Sequence, residues 1–366
     1  MSFIKLQRNK ISNSNKKTMK ERLLSSIFIA SFFIFLFLFG ILSDKTNNWS
    51  PITNPIIVTV FGWVLLIYLL PFIFIVAREI NNIFFKFNKI SYLLILSCSI
   101  ILIYAPTMVY FLKYYGYISI EIGNRINQLN TVTNIFAIVL GCSILLTVII
   151  NTLLLWINHE MTFKNWIILN LIVGVTSGFF LSSLFFLFTR GWLVLLWLML
   201  IVIGCDSFSY FGGLLFGRHK MVPKISPKKT WEGFAIGQII TVGLALLILF
   251  SFSYIKHEPD VLKQIMGIQF QHITNSGIQN GSFNHNTVQW WILMTFVTII
   301  LSLLSVFGDL SFSWFKRKYR IKDYGYLIPG HGGIIDRIDS HSMVISFYFV
   351  LSFVIALFAN TIVFFE

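Results

Sequence analysis

Residues 192–217 read WLVLLWLMLIVIGCDSFSYFGGLLFG, an apolar run with a single charged side chain, Asp206. A helix of about 20 apolar residues crosses the hydrocarbon core of a bilayer, so this run predicts a transmembrane helix. Similar runs recur along the chain, at 23–42, 56–77, 90–112, 131–157, 166–187, 233–255, 288–308 and 342–364. We therefore expect an all-α polytopic membrane protein with about nine transmembrane helices.

The overall composition excludes a set of soluble domains. Of the 366 residues, 56% are apolar and only 11% are charged, whereas about 25% are charged in an ordinary globular protein. Cys98, Cys142 and Cys205 lie within apolar runs, which favours buried thiols over a disulfide framework or a metal cluster. The net charge of +14 comes without a basic soluble segment long enough to bind nucleic acid. We assign it to anionic lipid and to cytoplasmic loops.

The distribution of basic residues predicts how the chain crosses the membrane. If residues 1–22 form a basic cytoplasmic tail, 22 of the 28 Lys and Arg residues fall in segments that face the cytoplasm, and six in segments that face outside. Such an excess marks the cytoplasmic side, and it places the C-terminus outside. We expect a multi-pass protein of the cell membrane, with N-terminal transmembrane helices in 23–187 and a C-terminal transmembrane region, 188–366, that carries the chemistry on its cytoplasmic face.

The first polar window, at 205–234, combines an intramembrane carboxylate with a basic loop. Asp206 would cost several kcal/mol in lipid unless it had a partner, a cation or a water-filled cavity; a helix–helix hydrogen bond stays an alternative. Glycines at 212, 213 and 217 allow close helix packing, which explains them equally well. The loop carries side chains suited to phosphate binding, although an ordinary cytoplasmic loop would have the same charge. They are Lys220, Lys224, Ser226, Lys228 and Lys229.

The second polar window, at 308–340, is rich in carboxylates. Asp336 and Asp339 are three residues apart, so on a helix they share one face. Two carboxylates on one face repel each other unless a cation joins them, and oxygen ligands suit Mg²⁺ bound to substrate phosphates. Asp309, at the end of the preceding apolar run, adds a third candidate ligand.

A glycine-rich turn around His331 precedes these aspartates. Its members Gly332 and Gly333 would let backbone N–H groups approach phosphate, and a helix that begins just after the turn would favour an anion at its N-terminus. The basic run upstream, KRKYRIK at 316–322, is equally typical of a membrane-surface anchor. His331 alone would more often be a structural hydrogen-bonding residue.

The stretch SWFKRKYRIKDYGYLIPGHGGIIDRID at 313–339 resembles the signature of phosphatidate cytidylyltransferases, also called CDP-diacylglycerol synthases. The first window is similar to the same family through residues that include Asp206, Lys224 and Lys229. Together the two windows cover under a fifth of the chain. One departure is Phe312, which stands where the family commonly has a glutamate.

The resemblance implies transfer of a cytidylyl group from CTP to phosphatidic acid, with Mg²⁺, alone or with a second cation, as cofactor. It implies that Asp309, Asp336 and Asp339 bind the metal ion and act in catalysis together with Lys316 and Arg337. A homodimer stays open. The resemblance also implies a set of substrate-binding residues. They are Asp206, Lys220, Lys224, Ser226, Lys228, Lys229, Arg317, Lys322, Asp323, His331, Gly332 and Gly333.

Three other functions compete with this one. CDP-alcohol phosphotransferases also cluster aspartates on membrane helices, but their DG-x2-AR run is absent from this sequence. A transporter of an anionic phosphate compound often has duplicated halves, whereas the polar residues here concentrate in about the last 170 residues. A catalytically degenerate family member that only binds lipid is favoured by one feature, Phe312.

Overall fold

The computed structural model describes residues 31–39, 41–42, 55–85, 88–114, 125–157, 162–189, 192–254, 269–274, 277–282, 288–325 and 332–362. Residues 31–39 are helical. The further helices are α1 Pro55–Phe85, α2 Lys89–Tyr114, α3 Arg125–Ile157, α4 Phe163–Thr189, α5 Trp192–Phe216, α6 Trp231–Tyr254, α7 Val288–Lys318 and α8 Ile335–Ile362. Within the described part of the chain, α1 to α7 are each long and apolar enough to cross a membrane. The expected all-α polytopic architecture is confirmed.

Two short antiparallel hairpins interrupt the helices. Strands β1 (Lys220–Val222) and β2 (Ser226–Thr230) lie between α5 and α6, with Lys220 opposite Thr230 and Val222 opposite Ser226. Strands β3 (Gln269–Thr274) and β4 (Gly277–Ser282) form a second hairpin between α6 and α7. The basic loop of the first polar window is therefore an ordered hairpin rather than a simple connection.

Several helices continue beyond the apolar runs that predicted them. The run at 288–308 ends at Gly308, but α7 continues to Lys318. The run at 56–77 likewise ends eight residues before α1 does, at Phe85. Helical hydrogen bonding does not stop where polar side chains begin, so these extensions place Asp309, Lys316 and Glu79 on helices rather than in loops.

Glycines set the helix contacts that hold the polar windows. A Cβ built on Gly233 of α6 would lie 2.5 Å from the Ser209 carbonyl oxygen and 2.7 Å from the Gly213 nitrogen, both on α5. A Cβ on Gly308 of α7 would lie 3.0 Å from Cβ of Met343 and 3.1 Å from Cα of Ser340, both on α8. Small residues let helix backbones approach closely in a membrane. The packing explanation of the first-window glycines is thus confirmed for Gly213.

The centre of the described bundle is α4, whose apolar window is 67% buried, the largest share of any candidate span. Its phenylalanines Phe179, Phe180 and Phe186 are almost fully buried, and Phe186 packs against Tyr348 and Phe349 of α8. The helices that carry the polar windows are therefore anchored to the rest of the bundle through α4 and α8.

Candidate active site

Three carboxylates from three helices form the acidic part of the site. Asp206 lies on α5, Asp309 on α7 and Asp339 on α8. The Asp309 charge repels that of Asp206, and both Asp309 and Asp206 repel the charge of Asp339. The close contact of α7 with α8 at Gly308 explains this proximity, because Asp309 is the next residue and Asp339 supplies one of the atoms that Gly308 faces. Residues predicted from two separate windows thus meet in one place.

A lysine from the first hairpin completes the junction of the two windows. Nζ of Lys229, on β2, lies 2.7 Å from Oδ2 of Asp309. The same ammonium also attracts the charge of Asp206. Both members of the Lys229–Asp309 ion pair keep about a quarter of their side-chain surface exposed, 23% and 29%. The pair is accessible, so a substrate phosphate can compete with Asp309 for the lysine.

The surroundings of Asp339 disfavour the ionised form of its carboxyl. Asp339 lies just before the apolar part of α8, and burial raises the pKa of its carboxyl well above its usual range. Repulsion from Asp309 adds to this rise, whereas the Ser340 backbone N–H, 2.8 Å from Oδ1, and the Lys316 charge act against it. Carboxylate oxygens are the ligands that Mg²⁺ prefers, so Asp206, Asp309 and Asp339 each have the right chemistry to contribute to a divalent cation.

Asp336 is held in a different way from Asp339. Its Oδ1 accepts a hydrogen bond from Nζ of Lys316 at 2.8 Å, and its Oδ2 accepts from the backbone nitrogens of Tyr324 at 2.8 Å and Gly333 at 2.9 Å. The side chain of Asp336 is only 4% exposed. The helix begins at Ile335 as the sequence suggested, but the two carboxylates near its start have different partners. A direct metal contact for Asp336 stays a prediction.

The acidic side chains of the described residues do not form a metal-binding cluster by themselves. Among the residues that the structure describes, no three His, Cys, Asp or Glu side chains come together closely enough to hold a metal ion. The predicted ligand set of Asp309, Asp336 and Asp339 is therefore not assembled as a three-carboxylate shell. Ligands from substrate phosphates would have to complete the shell, as is usual for Mg²⁺.

The sequence predicts an anion at the N-terminus of α8, and in the structure this position holds a carboxylate of the chain itself, that of Glu79. Oε1 of Glu79, on α1, accepts a hydrogen bond from the Ile334 nitrogen at 2.9 Å, and Oε2 accepts from the Ile335 nitrogen at 3.0 Å. A Cβ on Gly333 would lie 2.6 Å from the Glu79 carboxyl carbon. The neighbouring Gly332 has φ +84°, a left-handed conformation that favours glycine.

Sequence reasoning missed Glu79. A signal was present, because Glu79 is the one acidic residue between Asp44 and Glu121 and directly follows an apolar run. A carboxylate in such a place is costly unless it has a partner. His331, which the sequence placed in the same turn, lies outside the described residues.

The remaining predicted residues surround this centre at greater exposure. Lys220, Lys224 and Lys228 are exposed on the β1–β2 hairpin, where Ser226 is half-buried. Nε of Arg317 donates to the Ile225 carbonyl oxygen at 3.4 Å, which ties the end of α7 to the hairpin.

The other members of the second window lie around the glycine turn. Lys322 is exposed, and Asp323 and Arg337 are half-buried. Cβ of Asp323 faces Gly332, 3.2 Å from the position that a Cβ would take there.

Phe312 occupies a hydrophobic position beside the site. It is 1% exposed and packs edge-on against Phe315 and Tyr324. The Tyr324 hydroxyl donates to the Phe312 carbonyl oxygen at 3.0 Å, and the Lys316 ammonium lies 5.6 Å from the centre of the Tyr324 ring. Phe312 therefore supports the segment that carries Lys316 and Tyr324 and adds no charge to it.

The chain is similar to several known proteins. The family model described as "Cytidylyltransferase family" matches residues 46–355. The chain is 37% identical over 159 residues to the phosphatidate cytidylyltransferase of Haemophilus influenzae. The aligned residues cover 43% of this chain and 45% of that protein. The chain is 37% identical over 152 residues to the protein of the same name from Rickettsia conorii, covering 42% and 54%. For Rickettsia felis the identity is 33% over 197 residues, covering 54% and 74%. The chain thus spans about half the length of the first two relatives.

Proposed function

Because the chain belongs to the cytidylyltransferase family, we propose that it is a phosphatidate cytidylyltransferase, which converts CTP and phosphatidic acid to CDP-diacylglycerol and pyrophosphate. The observation that carries the proposal is the ion pair between Lys229 and Asp309 at 2.7 Å. It joins a basic hairpin to the helices that carry the acidic residues Asp206, Asp309 and Asp339, and this combination suits a nucleoside triphosphate. The names of the relatives support the choice of substrates.

The reaction needs alignment and charge neutralisation more than a protein nucleophile. A phosphate oxygen of phosphatidic acid attacks the α-phosphorus of CTP, and the bond from that phosphorus to the bridging oxygen of the β-phosphate breaks. Pyrophosphate leaves with the electron pair. Lys229 is exposed enough to transfer from Asp309 to a phosphate oxygen. The exposed lysines 220, 224 and 228 then attract the triphosphate to the hairpin.

The ion pair between Lys316 and Asp336 fixes the position of the Lys316 ammonium in the site. Their ion pair is largely buried, with 13% and 4% of the side-chain surface exposed, so Lys316 is held at one place on α7. From there its charge also reaches Asp339. We propose that Arg337, one residue further along α8, contributes a second positive charge toward the phosphates.

Asp309 and Asp339 are the residues that would hold Mg²⁺, with oxygens of the substrate phosphates as its further ligands. When bound, such an ion neutralises charge on the triphosphate oxygens and orients the leaving group. Phosphatidic acid stays in the membrane, whereas CTP is water-soluble and would arrive from the cytoplasm. A site at the ends of membrane helices, beside an exposed basic hairpin, suits both substrates.

The test also distinguishes two alternative functions that the sequence left open. A degenerate lipid-binding member would bind phosphatidic acid without turnover, and a transporter would move a phosphate compound without making CDP-diacylglycerol. Phe312 is the feature that favours the first. This side chain packs against Phe315 and Tyr324. A structural role therefore explains a phenylalanine at position 312 without any loss of activity.

The test uses the purified full chain in mixed micelles of detergent and phosphatidic acid. We expect CDP-diacylglycerol and pyrophosphate in equal amounts, dependent on CTP and on Mg²⁺, with no product when ATP replaces CTP. Asp309→Asn should lower turnover by more than about 100-fold, because even outer-shell partners of metal sites are worth about 10–100-fold.

The folded state of the variant is the control. Asp309→Asn should elute from gel filtration like the wild type and melt within a few degrees of it, since the Lys229–Asp309 pair is partly exposed and stabilises the fold only weakly. Wild-type protein that binds phosphatidic acid but forms no CDP-diacylglycerol at any Mg²⁺ concentration would reject the enzyme and leave the degenerate alternative.

A further inference from the structure

Glu79 links the first half of the chain to the site in the second half. It lies on α1, where it is 4% exposed, yet its two carboxylate oxygens bind backbone nitrogens 255 and 256 residues further along the chain. These are the nitrogens of Ile334 and Ile335, at the start of α8. The first N–H groups of a helix have no partner within the helix, so Glu79 satisfies donors that would otherwise be buried and unpaired.

The second window is shaped to admit this carboxylate. A Cβ on Gly325 or on Gly333 would lie 2.6 Å from Oε1 of Glu79, which is closer than side-chain carbons approach other atoms. Both positions must therefore stay free of a side chain as long as Glu79 is in place. Gly333, which the sequence connects with phosphate binding, thus makes room for a residue of α1, and so does Gly325.

Glu79 and Asp336 divide the backbone donors of this segment between them. Asp336 accepts from the nitrogens of Tyr324 and Gly333, and Glu79 accepts from the next two nitrogens after Gly333. Two carboxylates side by side repel each other, and the partial positive charge at the N-terminus of α8 offsets this repulsion. The conformation of the segment depends on both acids.

We propose that Glu79 is a positioning residue of the active site: it fixes the start of α8 and thereby the places of Asp336 and Asp339. This inference rests on the proposed function for its effect on turnover, but not for its effect on α8. It gives the N-terminal helices a part in the site, because α1 supplies the side chain that accepts from the nitrogens of Ile334 and Ile335.

The test compares Glu79→Gln and Glu79→Asp with a matched control, Asn81→Ala, in the full chain. Glutamine has one acceptor oxygen and one amide donor group, so it leaves one of the two α8 nitrogens facing a donor. Aspartate keeps both acceptors on a side chain one carbon shorter. Asn81 is two residues away on α1 and 2% exposed, and the hydrogen bond that it donates goes to the Asn88 carbonyl oxygen at 3.2 Å rather than to α8.

Two readouts separate positioning from general destabilisation. Amide hydrogen exchange of the peptide spanning 332–340 should be at least about tenfold faster in Glu79→Gln and unchanged in Asn81→Ala. Turnover at saturating CTP should fall about 10–100-fold in Glu79→Gln, with KM for CTP within about threefold of the wild type. For Glu79→Asp, the exchange rate and the turnover should lie between those of Glu79→Gln and Asn81→Ala.

Each outcome decides the proposal. Unchanged exchange at 332–340 in Glu79→Gln would overturn it, and so would an equal gain in exchange in Asn81→Ala. If Glu79→Gln does not fold, the same comparison is made with Glu79→Asp. An inactive wild type would reject the proposed function alone, because the exchange measurement still decides whether Glu79 holds α8.

Discussion

The buried ion pair between Lys316 and Asp336 gives the sharpest prediction about stability. Nζ of Lys316 lies 2.8 Å from Oδ1 of Asp336, and the two side chains are 13% and 4% exposed. We consider Lys316→Met, which removes the ammonium while keeping an unbranched apolar stem of similar length. The variant leaves the Asp336 carboxylate buried without its cation.

The expected loss in the free energy of unfolding depends on the hydrogen bonds that Asp336 retains in the variant. Breaking a buried ion pair by removing one partner typically costs about 3–5 kcal/mol. In this case Oδ2 of Asp336 still accepts from the backbone nitrogens of Tyr324 and Gly333, which places the loss at the lower end, about 3 kcal/mol. The lost contact of the ammonium with the Tyr324 ring, at 5.6 Å, contributes about 0.5–1 kcal/mol of this.

A double-mutant cycle separates the pair from its surroundings. Asp336→Asn alone should cost about 2 kcal/mol, since Lys316 then lacks its anion, and the double variant should cost about 1.5–2 kcal/mol less than the sum of the two single changes. Lys318→Met is the charge-matched control. Lys318 is exposed at the end of α7 and lies 5.3 Å from the centre of the Trp314 ring, so its loss should cost less than about 0.5 kcal/mol.

The measurement is reversible unfolding of the purified chain by SDS in mixed micelles, followed by tryptophan fluorescence. The cycle also predicts a split between stability and function, because Asp336→Asn adds only about 0–0.5 kcal/mol to the cost of Lys316→Met, whereas turnover does not recover. A coupling energy below about 0.5 kcal/mol would refute the reasoning, as would a Lys316→Met variant as stable as Lys318→Met.

Two further predictions follow from the site geometry. Gly308→Ala should cost about 1–3 kcal/mol and lower turnover, since its Cβ would lie 3.1 Å from Cα of Ser340 and force α7 away from α8. The control is Gly243→Ala, where nothing lies within 4 Å of the added Cβ, so that stability and turnover should stay unchanged. Equal effects of the two substitutions would contradict the packing argument. Lys229→Met should cost under about 1 kcal/mol in the same unfolding assay, because its pair with Asp309 is partly exposed. Its turnover should nevertheless fall at least about tenfold, and full turnover would remove Lys229 from the phosphate site.

The helices were predictable because each one is a long apolar run. Hydropathy depends on the side chains of a single segment, and a bilayer of fixed thickness converts run length directly into a span. The ends of the helices were not predictable in the same way. Apolar runs end at Gly308 and near Ala77, whereas α7 and α1 continue to Lys318 and Phe85, because backbone hydrogen bonding does not depend on apolar side chains.

The members of the site were also largely recognisable, but their partners were not. Asp309 and Lys229 could each be chosen from composition and position, yet nothing in either window says that they form an ion pair at 2.7 Å. That contact depends on how α6 packs on α5 and how the hairpin folds back. Glu79 is the extreme case, since its partners lie 255 and 256 residues away.

The two aspartates of α8 show why residue spacing alone cannot assign roles. Three residues apart, Asp336 and Asp339 share a helix face, which is what a metal site and a helix cap both require. The structure divides them: Asp336 binds Lys316 and two backbone nitrogens, while Asp339 lies within reach of the charges on Asp309 and Asp206. In this arrangement Asp336 and Glu79 together hold the start of α8, and that constraint keeps Asp339 beside Asp309. A carboxylate can therefore influence the acidic cluster by fixing the helix that carries another carboxylate.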